Sequence, residues 1–308
     1  MKHEMSFKPL AHMVDGSLSG LHIHDIAGDL GDGPTLGICG AIHGNEHTGT
    51  HTILDFVRAL RGTPFRGRLK LLPVANPRGF AANERFTSVD RMNLNRVFPG
   101  SRQGTYSEQL AELISKEFIE KVNVLVDLHT GTDRPTVDYS YIFNDEGLSR
   151  ATGSKLLYRP KPGAAYAGTT ATLAIDKKIA TTVVELGGGI VDQGPYAARG
   201  VAALFNIMRY LKMLNGAPAA RANQVILSAI ALVRPTQGGF IETAAPALGE
   251  KIAGGAVLGK IISPYTFAEL ETMTNPVKNG VMILSHLSRN FIEAGDYAYM
   301  VGDLDTVE

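Results

Sequence analysis

Hydrophobic residues in the first two thirds of the chain form short continuous runs that alternate with longer stretches of helical period. A continuous apolar run of this length is typical of a strand that is buried on both faces of a sheet. The predicted strands are 21–26, 35–42, 69–74, 122–128 and 180–185, and the predicted helices are 48–60, 107–121 and 196–214. This alternation predicts an α/β fold with a mixed, mainly parallel sheet and helices on both of its faces.

The pattern changes after residue 214. Residues 215–224 read "NGAPAARANQ", which is typical of a linker, and the rest of the chain consists of short β-like runs with frequent glycine and proline. The sequence therefore predicts an α/β domain over 1–214, a linker over 215–224 and a small all-β domain over 225–308.

Charge and composition exclude several classes of partner. The 308 residues include 30 basic and 30 acidic ones, so no net field attracts nucleic acid or an anionic membrane. The longest apolar run, 225–233, is far too short to cross a bilayer. The first residues contain no apolar stretch of signal-peptide length, and the single cysteine, Cys39, suits a reducing compartment. We therefore expect a cytoplasmic protein that acts without nucleic acid or membrane.

Polar residues follow two of the predicted strands directly. The strand 35–42 runs into "HGNE", which contains His43 and Glu46, and the strand 122–128 runs into His129 and a glycine turn. Histidine and glutamate are zinc ligands, and open α/β sheets bind ligands at the carboxyl ends of their strands. The sequence predicts that these three side chains hold one zinc ion, with a fourth position open to water as in catalytic sites.

Other histidines leave alternatives open. His47 and His51 follow Glu46 at helical spacing and could form a ligand set on the helix, and His43 could instead cap the helix 48–60. Without a metal, a histidine at the end of a buried strand still needs a hydrogen-bonding partner.

Two further segments carry polar groups suited to catalysis. Glu185 ends a predicted strand just before three glycines, and a carboxylate there could serve as a general base for water. Residues 76–100 have no helical or strand period, and such loops can present fork-shaped donors to carboxylates and oxyanions. The polar residues of this loop that we consider are Arg78, Arg85, Arg91, Asn93, Asn95 and Arg96.

Four motifs, "HGNE", "NLNRVFPG", "DLHTG" and "VELGGG", occur in this order between about residues 34 and 190. Together they resemble the succinylglutamate desuccinylase/aspartoacylase family, which is related to the zinc carboxypeptidases, and the carboxy-terminal β segment is also similar to that of the family. The resemblance implies a zinc-carboxypeptidase-like fold with one Zn2+ per chain. It implies a hydrolase that removes the acyl group from a small N-acyl amino acid.

The resemblance also implies a role for each residue of the site. Glu185 would activate water and then protonate the leaving amine, and Arg85 would stabilise the tetrahedral oxyanion. Asn95 and Arg96 would hold the carboxylate of the substrate. The residues that would bind zinc are His43, Glu46 and His129.

One position departs from the family pattern. Many relatives have aspartate where this chain has Asn93, and in related carboxypeptidases that aspartate accepts a hydrogen bond from a zinc-bound histidine. An amide would be a neutral acceptor, which predicts weaker metal binding or another task for Asn93. Asp127, two residues before His129, is a candidate for supporting that ligand from behind.

Several functional alternatives stay open. The fold would also suit a peptidase of the carboxypeptidase type, or a protein that binds an amino acid without catalysis. The acyl group and the amino acid are not specified, and a homo-oligomer is compatible with the sequence. Basic residues that would select an acidic acyl group are expected between 134 and 178, where the candidates are Arg134, Arg150, Arg159, Lys161 and Lys177.

The carboxy-terminal segment resembles the two halves of a biotinyl or lipoyl carrier domain, which is a barrel-sandwich fold. The expected hairpin tip, 263–267, reads "SPYTF" and lacks the lysine that such carriers modify. We therefore expect this segment to be a lid or a dimerisation element that borders the active site.

Overall fold

The computed structural model describes residues 2–132, 135–161, 163, 166–189, 191–219 and 221–307. The strands are β1 (Lys2–His12), β2 (Leu18–Ala27), β3 (Thr35–Gly40), β4 (Arg68–Leu72), β5 (Val124–His129), β6 (Pro135–Tyr141), β7 (Leu156–Tyr158), β8 (Ala180–Gly187), β9 (Val225–Leu227), β10 (Ile230–Val233), β11 (Gly239–Thr243), β12 (Lys251–Ala253), β13 (Val257–Ile262), β14 (Glu269–Thr274), β15 (Asn279–His286), β16 (Phe291–Ile292) and β17 (Tyr299–Asp303).

The helices are α1 (His47–Leu60), α2 (Pro77–Ala82), α3 (Tyr106–Glu117), α4 (Glu146–Ala151), α5 (Thr170–Asp176) and α6 (Gly194–Tyr210), and short 3-10 turns lie at Leu94–Arg96, Ile119–Lys121 and Leu304–Thr306. The helix predicted over 107–121 is thus interrupted: α3 ends near Glu117, and a separate 3-10 turn follows. Among the described residues, no helix combines the length and the apolar character that a membrane crossing requires.

A large mixed sheet forms the centre of the molecule. Its strand order is β1-β2-β4-β3-β5-β8-β6-β15-β17-β10, with β12 beside β15, β7 beside β6 and β9 beside β7. The four central strands β4, β3, β5 and β8 are parallel, and β7 pairs in parallel with β6 and β9. The remaining pairs of this sheet are antiparallel.

The predicted α/β class and the central strands are therefore confirmed, but the expectation of a mainly parallel sheet is wrong outside the centre. The reason is that strand–helix–strand crossovers produce parallel neighbours only where helices separate the strands. The β1–β2 hairpin and the strands after residue 225 add to the sheet without such helices.

Helices cover both faces of the central strands, as predicted. On one face Ile38 of β3 packs in a core with Phe56 of α1 and Leu204 of α6. On the other face Leu125 of β5 packs in a second core with Ile114 of α3. Because successive side chains of a strand point to opposite faces, one short strand supplies both layers.

The carboxy-terminal segment is built from strands, and its described residues include no helix except the 3-10 turn near its end. Part of it forms a separate four-stranded sheet, in the order β14-β13-β11-β16, around its own core. The other part joins the main sheet, because β15 pairs with β6 through Leu284 and Val137. The division into domains at 215–224 stays a prediction, and hydrogen bonding between strands runs across it.

Candidate active site

The catalytic candidates meet where parallel strands end. His43 and Glu46 lie in the turn between β3 and α1, while His129 is the last residue of β5. Glu185 lies directly opposite His129 on the neighbouring strand β8. Gly44 makes the turn possible, since a Cβ atom there would come within 1.9 Å of the backbone of Gly79.

The three predicted metal ligands form one buried cluster. The Glu46 carboxylate lies between the two histidines, with Oε1 2.8 Å from Nδ1 of His43 and Oε2 2.9 Å from Nδ1 of His129. One candidate ligand atom from each residue lies within 4.8 Å of the others, and all three side chains are buried. The structure therefore brings together side chains that are widely separated in sequence.

Both imidazole rings are oriented from behind by an oxygen acceptor. Nε2 of His129 lies 3.0 Å from the Asp127 carboxylate, and Nε2 of His43 lies 3.2 Å from Oδ1 of Asn93. That amide oxygen also accepts the backbone N–H of Asn95 at 2.9 Å, which identifies it as the acceptor end of Asn93. Nε2 of each ring therefore donates.

This arrangement fits a divalent cation. With its proton on Nε2, each imidazole presents the Nδ1 lone pair toward the Glu46 carboxylate. Two lone pairs and a carboxylate that face one another repel each other, and a cation among them makes the arrangement favourable. Nitrogen and oxygen donors of this kind suit zinc. Histidine ligands with an acceptor behind the second ring nitrogen are the common arrangement in metal sites.

The electrostatics of the cluster also favour a cation. Burial raises the pKa of the Glu46 carboxyl, but His43 and His129 outweigh it and hold that pKa well below its usual value. Burial opposes protonation of His129, yet Asp127 and Glu46 raise its pKa well above the usual range, so a metal ion bound at Nδ1 would take the place of a proton there. Burial lowers the pKa of His43, which favours the neutral form that binds metals.

Arg85, Asn95 and Arg96 line the same cavity as the cluster. Nη1 of Arg85 donates to Oε1 of Glu46 at 3.0 Å, so this guanidinium lies beside the ligands while a third of its side chain stays exposed. Asn95 is buried and accepts the backbone N–H of Thr170 at 3.0 Å. The Arg96 guanidinium stacks on the ring of Tyr166, 4.3 Å from its centre.

Glu185 lines this cavity, which has a volume of about 780 Å³. Among the described residues its carboxylate has no hydrogen-bond or ion-pair partner. Burial raises the pKa of Glu185 to about 8, and the nearby Glu46 contributes to the rise against the opposing effect of His129. A carboxyl group with such a pKa can take and return a proton near neutral pH.

The structure separates other candidates from this cluster. The His47 ring packs against Phe80 at 4.9 Å, and His51 is exposed on α1, so neither joins the ligands. Arg78 donates to Ser17, and Arg91 pairs with Glu84 at the cavity lining without reaching the ligands.

Of the basic residues considered for an acidic acyl group, Arg134 lies outside the described residues, and none of the others lines the cavity. Arg150 and Arg159 pair with Glu146, and Lys177 pairs with Glu120.

Sequence reasoning missed two contributors. The backbone N–H of Thr130 donates to Oε2 of Glu46 at 3.1 Å, and the Thr170 hydroxyl donates to the Asp127 carboxylate. Thr130 sits in the "DLHTG" motif, which could have drawn attention to its backbone. Thr170 lies at the start of α5, far from the motifs, and no local signal points to it.

Comparison with known proteins places this chain in a family. The sequence model of the succinylglutamate desuccinylase/aspartoacylase catalytic domain matches residues 32–211. A curated relative, the N-alpha-acetyl-L-2,4-diaminobutyric acid deacetylase of Halomonas elongata, is 33% identical over 101 residues, which span 33% of this chain and only 30% of the relative.

Two solved structures share the fold over nearly the whole chain. A succinylglutamate desuccinylase from Silicibacter sp. TM1040 is 24% identical with a TM-score of 0.84, and the match covers 100% of this chain and 95% of that one. A product-bound ectoine utilization protein from Ruegeria pomeroyi is 22% identical with a TM-score of 0.82 and coverages of 98% and 95%. Because the family model matches more than half of the residues, this chain belongs to the succinylglutamate desuccinylase/aspartoacylase family.

Proposed function

We propose that this protein is a zinc-dependent deacylase that hydrolyses the amide bond of a small N-acyl amino acid on a zinc-carboxypeptidase-like catalytic core. The observation that carries the proposal is the buried cluster of His43, Glu46 and His129 beside the Glu185 carboxylate, which has no partner within the described part of the chain. The deacetylase from Halomonas elongata, which acts on an N-acetylated amino acid by its name, supports the same reaction class.

The ion would be held by Nδ1 of the two histidines and by the Glu46 carboxylate. Bound there, zinc would supply Lewis-acid chemistry for the attack of water on an amide carbonyl. Asp127 and Asn93 keep the imidazoles in the required tautomer and orientation through their hydrogen bonds to Nε2. The protein thereby fixes the geometry of the donors before any substrate binds.

Glu185 moves the proton in this proposal. As a carboxylate it accepts a proton from the attacking water, and as a carboxylic acid it returns that proton to the departing amine nitrogen. Burial raises the pKa of Glu185, and a cation bound nearby would oppose that rise, so the carboxylate form that the first step needs would be accessible.

Two arginines supply positive charge to the substrate. Arg85, whose guanidinium is 3.0 Å from Glu46, stabilises the oxyanion that develops on the carbonyl oxygen in this proposal. Arg96 and Asn95 lie on the same loop and face the same cavity, where the guanidinium can bind the substrate carboxylate as a fork. Such contacts orient the scissile bond toward Glu185.

Metal analysis combined with an amine-release assay tests the proposal. We expect purified protein to contain about one zinc ion per chain and to release free amino acid from N-acyl amino acids. His43→Ala and His129→Ala should lose the metal, whereas His51→Ala, an exposed histidine of α1, should retain it. Wild-type protein that hydrolyses these substrates without bound metal would contradict the mechanism.

A substrate panel separates the proposal from its nearest rivals. Short peptides assayed beside N-acyl amino acids would identify a carboxypeptidase-type activity by the preference for peptides. A protein that binds amino acids without catalysis would be stabilised by them in thermal melts and would turn over neither class. The cytoplasmic location and the oligomeric state stay predictions of the sequence.

A further inference from the structure

The floor of the active-site cavity is one continuous face of the main sheet. His129 on β5 is in register with Glu185 on β8, and Glu185 is in register with Tyr139 on β6. Strands in a sheet lie about 4.8 Å apart. The Tyr139 strand is therefore about 10 Å from the strand that ends in the metal ligand His129.

The carboxy-terminal strands continue this face beyond β6. Val137, two residues before Tyr139, is in register with Leu284 on β15. Leu284 is in register with Met300 on β17, which in turn is in register with Leu232 on β10. All these side chains line the cavity. The floor is thus polar and catalytic at one end and apolar at the other.

An aromatic cluster forms a wall beside the apolar end. The Tyr141 ring stacks on Phe143 at 5.4 Å and meets the edge of Tyr158 at 5.6 Å. The hydroxyl of Tyr139 donates to that of Tyr141 at 3.0 Å, which pairs the Tyr139 donor within the cluster. Burial also raises the pKa of both phenols, which keeps them uncharged.

Among the described residues that line the cavity there is no lysine, and the carboxy-terminal strands contribute one basic side chain, His286 of β15. The arginines that line the cavity are Arg85, Arg91 and Arg96, all from the loop near the metal ligands. A carboxylate buried at the apolar end would need a cationic partner to offset its desolvation. The described basic residues of 135–178 do not line the cavity.

The volume of the whole cavity, about 780 Å³, falls in the range of pockets that bind drug-sized ligands, so it has room for a substrate larger than a small N-acetyl amino acid. Leu232 is 44% exposed at its floor, so a bound apolar group would remove this side chain from water.

We propose that this apolar end, formed by Leu232, Leu284, Met300 and the aromatic wall, is a subsite for a large apolar group of the substrate. That group is an alkyl chain of about four carbons or more, or an aromatic ring. It belongs either to the acyl part or to the amino acid. The inference rests on the proposed deacylase function and deepens it by assigning the class of substrate, and it gives the carboxy-terminal segment a role in substrate selection.

A matrix of substrates tests the subsite and identifies which part of the substrate enters it. N-acetyl, N-butanoyl, N-hexanoyl and N-succinyl derivatives of glycine, aspartate, leucine and phenylalanine are compared by kcat/KM. Each methylene that the subsite buries should raise kcat/KM about fourfold. We expect at least a tenfold preference for hexanoyl over acetyl, or for leucine and phenylalanine over glycine and aspartate.

A pair of leucine substitutions provides the structural control. Leu232→Glu introduces a carboxylate into the floor, whereas Leu270→Glu does so on β14, outside the cavity, at a leucine of nearly equal exposure (42%). Leu232→Glu should lower the preference for apolar substrates at least tenfold, and Leu270→Glu should leave it unchanged. A tenfold or greater preference for acidic substrates, or equal effects of the two substitutions, would overturn the inference.

Binding of the neutral apolar fluorophore N-phenyl-1-naphthylamine provides a readout that does not depend on turnover. We expect N-hexanoylglycine to displace the fluorophore better than N-succinylglycine, and Leu232→Glu but not Leu270→Glu to weaken its binding at least fivefold. Absence of turnover on every substrate would refute the proposed function. Binding of the fluorophore would still show whether the apolar subsite exists. Equal displacement by the two ligands, or equal binding to the two variants, refutes the subsite.

Discussion

Asn93→Asp should tighten metal binding, because it would give His43 the kind of partner that His129 already has. Asn93 accepts hydrogen bonds from Nε2 of His43 and from the backbone N–H of Asn95 through one oxygen. An aspartate of nearly the same shape can accept both, and it remains a good N-cap for the turn Leu94–Arg96. We therefore expect the variant to fold normally.

The magnitude follows from the two kinds of hydrogen bond. A bond between neutral groups contributes about 0.5–1.5 kcal/mol, and one to a charged group contributes about 1.5–3 kcal/mol. Replacement of the Asn93 amide by a carboxylate therefore adds about 1–1.5 kcal/mol to the orientation and basicity of His43. This free energy corresponds to roughly a tenfold gain in zinc affinity.

Competition with a chromophoric zinc chelator measures the affinity. Asp127→Asn makes the opposite change, from a carboxylate to an amide, in the hydrogen-bond partner of His129. It should weaken zinc binding about 10- to 100-fold. Asn123→Asp adds the same charge at an exposed asparagine that also accepts a backbone N–H, that of Thr35, and should leave the affinity unchanged. Zinc affinity that does not rise in a folded Asn93→Asp protein, or that rises equally in Asn123→Asp, would refute the reasoning.

Three further substitutions and one control test catalysis and stability. Glu185→Gln should lower kcat about 10²- to 10⁴-fold through loss of proton transfer, and zinc content that fell with it would contradict a purely catalytic role. Arg85→Ala should lower kcat roughly 10²- to 10³-fold by removing an oxyanion donor, and a rise in KM alone would contradict that role. Phe56→Ala should cost about 3–5 kcal/mol of unfolding free energy in urea. Leu54→Ala on the exposed side of α1 should cost under about 1 kcal/mol, and similar losses would refute the burial argument.

Elements that are buried on both faces could be predicted closely from the sequence. The run from Thr35 to Gly40 is apolar because it packs between two helical layers, so its pattern specifies a central strand. The hairpin strand β1 was missed because most of its residues are exposed, and no hydrophobic period results. Helices α2, α4 and α5 have only six or seven residues, too few for a helical stripe to stand out.

The residues of the candidate site also include some that the sequence pattern predicts and some that it does not. His43, Glu46 and His129 could be predicted because each lies at the end of a recognisable strand, and strand ends of a parallel sheet meet at one edge. The residues that orient these ligands could be predicted only in part. Asp127 lies in the same motif as His129, whereas the Thr170 hydroxyl reaches the Asp127 carboxylate from the start of α5. The fold alone brings Thr170 close to Asp127, so no local pattern in the sequence predicts this contact.

The apolar end of the cavity shows why family motifs describe the reaction better than the substrate. The motifs hold the groups to which we assign the chemistry, and they lie at the carboxyl ends of β3, β5 and β8 and in the loop 76–100. The opposite end depends on the pairing of β6 with β15, which brings Leu284 beside Val137 from a distant part of the chain. Substitutions on β10, β15 and β17 can therefore change the chemistry of that end without touching a single metal ligand. Substrate preference in this fold can then change independently of the catalytic motifs, because the two are carried by different strands of one sheet.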